Sequence, residues 1–201
     1  MSVRWIATAA LTFGVAGLLA LTAEGAWPFA SLELRHRREM KSRVAVPADP
    51  TPTRFEALDA LPTRSSVAEY SAIERRAVAV EGFVERFDAR GNGEVALRIV
   101  REWPTTRGTT GALLATLSPS FRARHPEWAV DALVAELRLT ERAELPAGGE
   151  ARRVRVSGWL MFDAAWSIHP VTRLEVWDAS LARYRDAGVY PEVTTKRGGG
   201  A

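Results

Sequence analysis

His36, His125 and His169 are the three histidines of the chain, and it has no cysteine. Without a thiol there is no cysteine nucleophile, no disulfide and no cysteine-ligated zinc, although an exported protein need not carry a disulfide. The histidines fall in helix-like, loop and strand contexts, which is not the converging ligand set that a metal requires. No metal and no cofactor is therefore expected. His169 follows Asp163 by a short turn, a spacing at which a carboxylate can orient an imidazole acting as general base. No serine or second acid at a diagnostic spacing joins them, so the plainer role of His169 is to hydrogen-bond and lock the end of a strand. Asp163 and His169 are the catalytic candidates, and a non-catalytic chain is the expectation. His125, just before Pro126, reads as a helix-start residue.

Other chemistry-bearing residues have similar bland alternatives. Glu81 and Glu85 alternate onto one strand face, but alternation beside Arg86 describes the solvated side of a sheet. Gly108-Thr109-Thr110-Gly111 lacks the lysine and the strand-to-helix setting of a phosphate loop and reads as a flexible loop. Arginines beside aromatics suit single-stranded nucleic acid, which needs stacking planes and phosphate partners. Arg90, Arg98 and Arg101 supply the cations; Phe83, Trp103, Trp159 and Trp166 supply the planes. Core or rim packing is the commoner use of a barrel tryptophan. The candidate binding residues are Arg98, Arg101, Trp103, Trp159 and His169. A pI near 9.8 looks nucleic-acid-like, but the formal net charge is only +3 and lysine occurs only at Lys41 and Lys196. The arginine excess is a compositional bias rather than a basic face, and a protein or glycan partner is expected instead of nucleic acid.

These residues need a scaffold, and 201 residues with 47% apolar content suffice for one ordinary core. Residues 5–23 carry no charge and follow Arg4, long enough for a membrane span and acceptable as a signal peptide. Residues 1–26 are read as that anchor or signal, with membrane contact through 5–23. Arg35, Arg37, Arg38, Lys41 and Arg43 follow and would favour the cytoplasm, against the export side that is otherwise slightly preferred. Residues 27–53 form a basic juxtamembrane stretch and a semi-extended proline linker ending at Pro47-Ala48-Asp49-Pro50-Thr51-Pro52-Thr53. The domain spans 54–190, and 191–201 form a disordered tail.

Within the domain, residues 54–76 offer short helical segments. Five strands follow, at 77–87, 94–100, 112–117, 152–162 and about 168–177, each with a period of two or a short apolar run. A helix opening at Pro126, with Val130, Leu133, Val134 and Leu137 at helical spacing, lies between the third and fourth. The predicted fold is mainly β with one inserted helix, an OB-like five-stranded small barrel preceded by an N-terminal transmembrane or signal helix. Val78 to Val84 and Val154 to Leu160 share a pattern with glycine at Gly82 and Gly158, as expected where barrel strands coil.

Gly158-Trp159-Leu160-Met161-Phe162-Asp163, followed by Ile168-His169-Pro170-Val171-Thr172-Arg173-Leu174-Glu175-Val176, resembles the closing strands of a group of small bacterial OB-fold-like proteins that end in Trp-Glu-Ile-His-Pro-Val. The resemblance extends more loosely back to Val78 and implies the barrel rather than an activity. Where the group shows Asp-x-His-Leu, this chain has Glu94-Val95-Ala96-Leu97, without the histidine. Where it shows Glu-Ile-His-Pro, this chain has Ser167-Ile168-His169-Pro170, without the carboxylate. The expectation is a membrane-tethered or exported binding module of the bacterial envelope, using one barrel face and the Pro104 to Gly111 loop. The alternatives are a metal-assisted hydrolase centred on Asp163 and His169, and a cytoplasm-facing binder of single-stranded nucleic acid.

Overall fold

The computed structural model describes residues 27–63, 66–104, 111–137 and 150–188. The chain divides into two compact units, Met1–Met40 and Lys41–Ala201. The described part of the first is helical, within α1 (Trp27–Lys41), where Glu33 and Arg37 pair one turn apart at 3.4 Å. The apolar segment 5–23 lies outside the described residues, as do most of the Pro104 to Gly111 loop and the C-terminal tail. Among the described residues, no helix is long and apolar enough to cross a membrane.

The second unit holds the strands β1 (Thr51–Pro52), β2 (Ala77–Ala89), β3 (Val95–Val100), β4 (Ala112–Leu117), β5 (Arg153–Asp163), β6 (Ala165–Asp178) and β7 (Arg183–Asp186). The β2 strand pairs antiparallel with both β3 and β5. The circuit continues through antiparallel β3–β4, parallel β4–β6 and antiparallel β6–β5, closing a five-stranded barrel of OB-like order. Alternation explains its filling: Val78, Val80 and Val84 of β2, Val95, Leu97 and Ile99 of β3, and Val154 and Val156 of β5 all enter one buried cluster. Their partners in the alternation face outward. The five expected strands are thus present with small shifts at their ends, and short helices α2 (Phe55–Asp59) and α3 (Val67–Ile73) precede them. A Ser66 and Glu69 capping box starts α3.

Three local features differ from the sequence reading. Pro126 opens a 3-10 turn, Pro126–Trp128, rather than the helix itself, because Ala129 is extended before α5 (Val130–Glu136), which follows a four-residue α4 (Pro119–Arg122). His125 precedes this turn, stacks on Trp128 at 4.3 Å and meets the Glu127 carboxylate through Nδ1 at 2.8 Å. The stretch read as a linker is docked: Thr51 and Pro52 run parallel to Val78 and Ala79, and Thr53 N–H donates to the Ala79 carbonyl at 2.8 Å. Farther back, the Ala45 carbonyl accepts from Trp159 Nε1 at 2.7 Å, and the Arg43 guanidinium lies 4.9 Å above that indole. Proline's fixed φ suits an edge strand as well as a spacer, and its missing N–H blunts the outer edge. The last difference is the unforeseen β7, a charged edge strand paired with β6.

Candidate functional site

Two turns at one end of the barrel and a bulge in β6 define the site. Between β2 and β3, Gly93 adopts φ +82° and its N–H donates to the Arg90 carbonyl at 2.9 Å, while Arg90 N–H donates to the Glu94 carbonyl at 2.8 Å. The Asn92 side chain accepts from Glu94 N–H at 3.0 Å, which fixes the backbone from which Glu94 projects. Between β5 and β6, the chain reverses at Asp163-Ala164-Ala165, with Ala164 at φ 63°.

Along β6, Leu160 faces Ile168 and Gly158 faces Val171, so Trp159 alone stands against His169 and Pro170. That is a β-bulge, a place where a ladder bond that proline cannot donate is not missed and where a side chain is re-aimed. It turns His169 away from the barrel core into a recess of about 260 Å³ outside β4 and β6. Arg90 and Glu94 enter from the first turn, Asp163 from the second, Thr116 from β4, and Ser167 beside His169 from β6. Lys41 also lines the recess, its Nζ 3.6 Å from Asp163.

His169 is 4% exposed, and its Nε2 has no hydrogen-bond partner among the described residues. Burial holds the imidazole below its ordinary pKa, against the opposing effects of Glu94 and of a hydrogen bond to the Lys41 backbone. The ring is therefore neutral at neutral pH, with Nε2 left unpartnered. Glu94 behaves oppositely: burial raises its carboxyl, but the Asn92 hydrogen bond and the charges of His169, Lys41 and Arg90 bring it below the usual range. Arg90 approaches it to 3.5 Å. The recess thus contains two cations, two carboxylates and a neutral imidazole whose Nε2 is unpartnered.

Of the residues expected to matter, Asp163 and His169 are brought together here, with Arg90 and Trp166 also lining the recess. The others are elsewhere. Arg98 stands on the outer face of β3 and pairs with Glu85. Arg101 pairs with Glu56 at 2.6 Å, beside a separate groove along the proline stretch. Trp103 follows β3, half-buried. Trp159 is held by Ala45 and Arg43, and Trp166 is core, its Nε1 donating to the Pro62 carbonyl at 2.9 Å. Glu81 is no free carboxylate: burial opposes its ionisation, but hydrogen bonds from Arg155, Tyr184 and Arg153 take its pKa to about 2. Among the described residues, no three His, Asp or Glu side chains are grouped so as to hold a metal.

Glu94, Lys41, Thr116 and Ser167 were not singled out as site residues. A signal existed for Glu94, an acidic residue directly after the Gly91-Asn92-Gly93 turn. Lys41 carried no such signal.

No family model and no curated protein matches the chain. Among solved structures, the chain is similar to OBody AM1L10 bound to hen egg-white lysozyme, with a TM-score of 0.32 and 11% identity over 52% of this chain and 82% of that one.

Proposed function

We propose that this is a non-catalytic binding module of the bacterial envelope, tethered or exported by residues 5–23, which engages a protein or glycan partner at the recess around His169. The observation that carries the reading is the unpartnered Nε2 of His169, buried where the β2–β3 and β5–β6 turns meet. Those turns correspond to the loops that flank the ligand face of OB-folds, a fold-level analogy that locates a site without naming its ligand. Leaving a buried polar atom unpaired costs on the order of 1–3 kcal/mol, which a ligand group paired with it would recover on binding.

Catalysis is less well supported. A general base needs a partner that orients it and a nucleophile to deprotonate, whereas both carboxylates in the recess already face cations. Nucleic acid is disfavoured because Arg98, Arg101, Arg153 and Arg155 are engaged by Glu85, Glu56 and Glu81. The test is to incubate the full-length chain with phosphodiester, glycoside and peptide reporter substrates, with and without divalent metal. No turnover beyond that of the His169→Ala variant is expected; turnover that His169→Ala abolishes would overturn the reading in favour of a hydrolase.

A further inference from the structure

Resting on the recess as the ligand site, we infer that the group it takes is a hydroxyl of a neutral sugar, so that the partner is a glycan rather than a protein. His169 lines the recess, and its Nε2 is buried without a hydrogen-bond partner among the described residues. A hydroxyl both donates and accepts. It therefore pairs with that nitrogen in either tautomer of the neutral ring, and it accepts from the imidazolium as well. An ammonium only donates and a carboxylate only accepts, so each suits some forms of the ring and not others.

Charge favours a neutral group. Arg90 faces Glu94 at 3.5 Å and Lys41 faces Asp163 at 3.6 Å, so an ionic group entering the recess competes with a pair already made. A hydroxyl does not. The uncharged polar lining suits more than one of them: Ser167 Oγ donates to the Met161 carbonyl at 3.1 Å and keeps lone pairs with which to accept, and Thr116 lines the same recess. A sugar presents adjacent hydroxyls to several such groups at once, whereas a serine or threonine side chain presents one. It also presents C–H faces, and the recess has apolar surface for them. Leu114 is 38% exposed there, and Trp166, held through its Nε1 by the Pro62 carbonyl, lies in the same lining. At about 260 Å³ the recess falls below the roughly 300–1,000 Å³ that encloses a whole drug-sized ligand. It has room for one ring, with the rest of a glycan left outside.

The experiment titrates the full-length chain with the methyl glycosides of glucose, galactose, mannose and N-acetylglucosamine, following the backbone amide resonances of Thr116 and Ser167. Glucosamine, glucuronate, N-α-acetyl-serine amide and a set of short peptides are titrated beside them. At least one neutral glycoside is expected to give saturable shifts that persist when salt is raised about tenfold, with the charged sugars and serine amide binding more weakly. His169→Phe keeps a ring without a polar atom and should weaken that glycoside about fivefold or more, the worth of one neutral hydrogen bond. Leu114→Ser, at an exposed position, should weaken it as well and carries the test should His169→Phe not fold. A charged sugar that binds as tightly as the glycosides overturns the neutral group; serine amide that binds as tightly overturns the glycan. Glycoside affinity unchanged in both variants overturns the seat described. Shifts from peptides or serine amide alone overturn this inference while the recess stands as a binding site. Resonances that ignore every probe overturn both.

Discussion

Gly158 on β5 and Pro170 on β6 are in such close approach that a Cβ on Gly158 would collide with the Pro170 carbonyl oxygen and lie 2.7 Å from Ile168 Cγ2. The glycine is thus what lets β6 bulge at His169 and Pro170 while staying paired to β5. Gly158→Ala forces backbone rather than a flexible side chain to move, so a loss of about 3 kcal/mol is expected, with a displaced His169 resonance. Denaturant unfolding checks the first and NMR the second. Gly91→Ala, where an added Cβ meets nothing within 4 Å, is the control and should change stability by no more than about 0.5 kcal/mol.

The proline stretch should behave as part of the barrel. Trp159→Phe keeps an aromatic ring beneath Arg43 but loses the 2.7 Å bond to the Ala45 carbonyl. A neutral hydrogen bond contributes about 1 kcal/mol net, enough to raise local opening severalfold. Limited trypsin digestion should therefore cut faster after Lys41 and Arg43 in the variant than in wild type. Unchanged cleavage would mean that the docking does not hold the stretch.

His169 gives the stability a pH dependence of definite sign. Its folded pKa lies below 6.5, whereas the unfolded imidazole titrates near about 6.5. Between those values the unfolded chain binds a proton that the folded chain refuses, so stability is fully present above about pH 6.5 and declines as pH falls through that window. Melting temperatures from pH 8 to pH 5 should fall more steeply for wild type than for His169→Gln. A steeper fall in His169→Gln would contradict the burial argument.

The barrel was legible because period-two alternation is a local signal: Val78, Val80 and Val84 declare their inner face without knowing their neighbours. That Asp163 and His169 line one recess was legible because a short hairpin joins them. Glu94 and Lys41 reach the same recess only by barrel closure and by docking of the proline stretch, and neither leaves a mark on local periodicity. The chemistry of Pro50 and Pro52 fits a free spacer and an edge strand alike, so the sequence could not choose between them. Strand β7, Arg-Tyr-Arg-Asp, has no apolar alternation because it is an edge held partly by ion pairs, among them Arg173 with Asp186 at 2.9 Å.

The most direct test of the recess as a binding site is chemical-shift mapping of the full-length chain against a panel of oligosaccharides and peptides. A ligand site there predicts saturable shifts concentrated at Glu94, Thr116, Asp163, Ser167 and His169, and lost in His169→Ala. Saturable shifts centred instead on Arg98, Trp103 and the outer face of β3, with those recess residues unmoved, would contradict it.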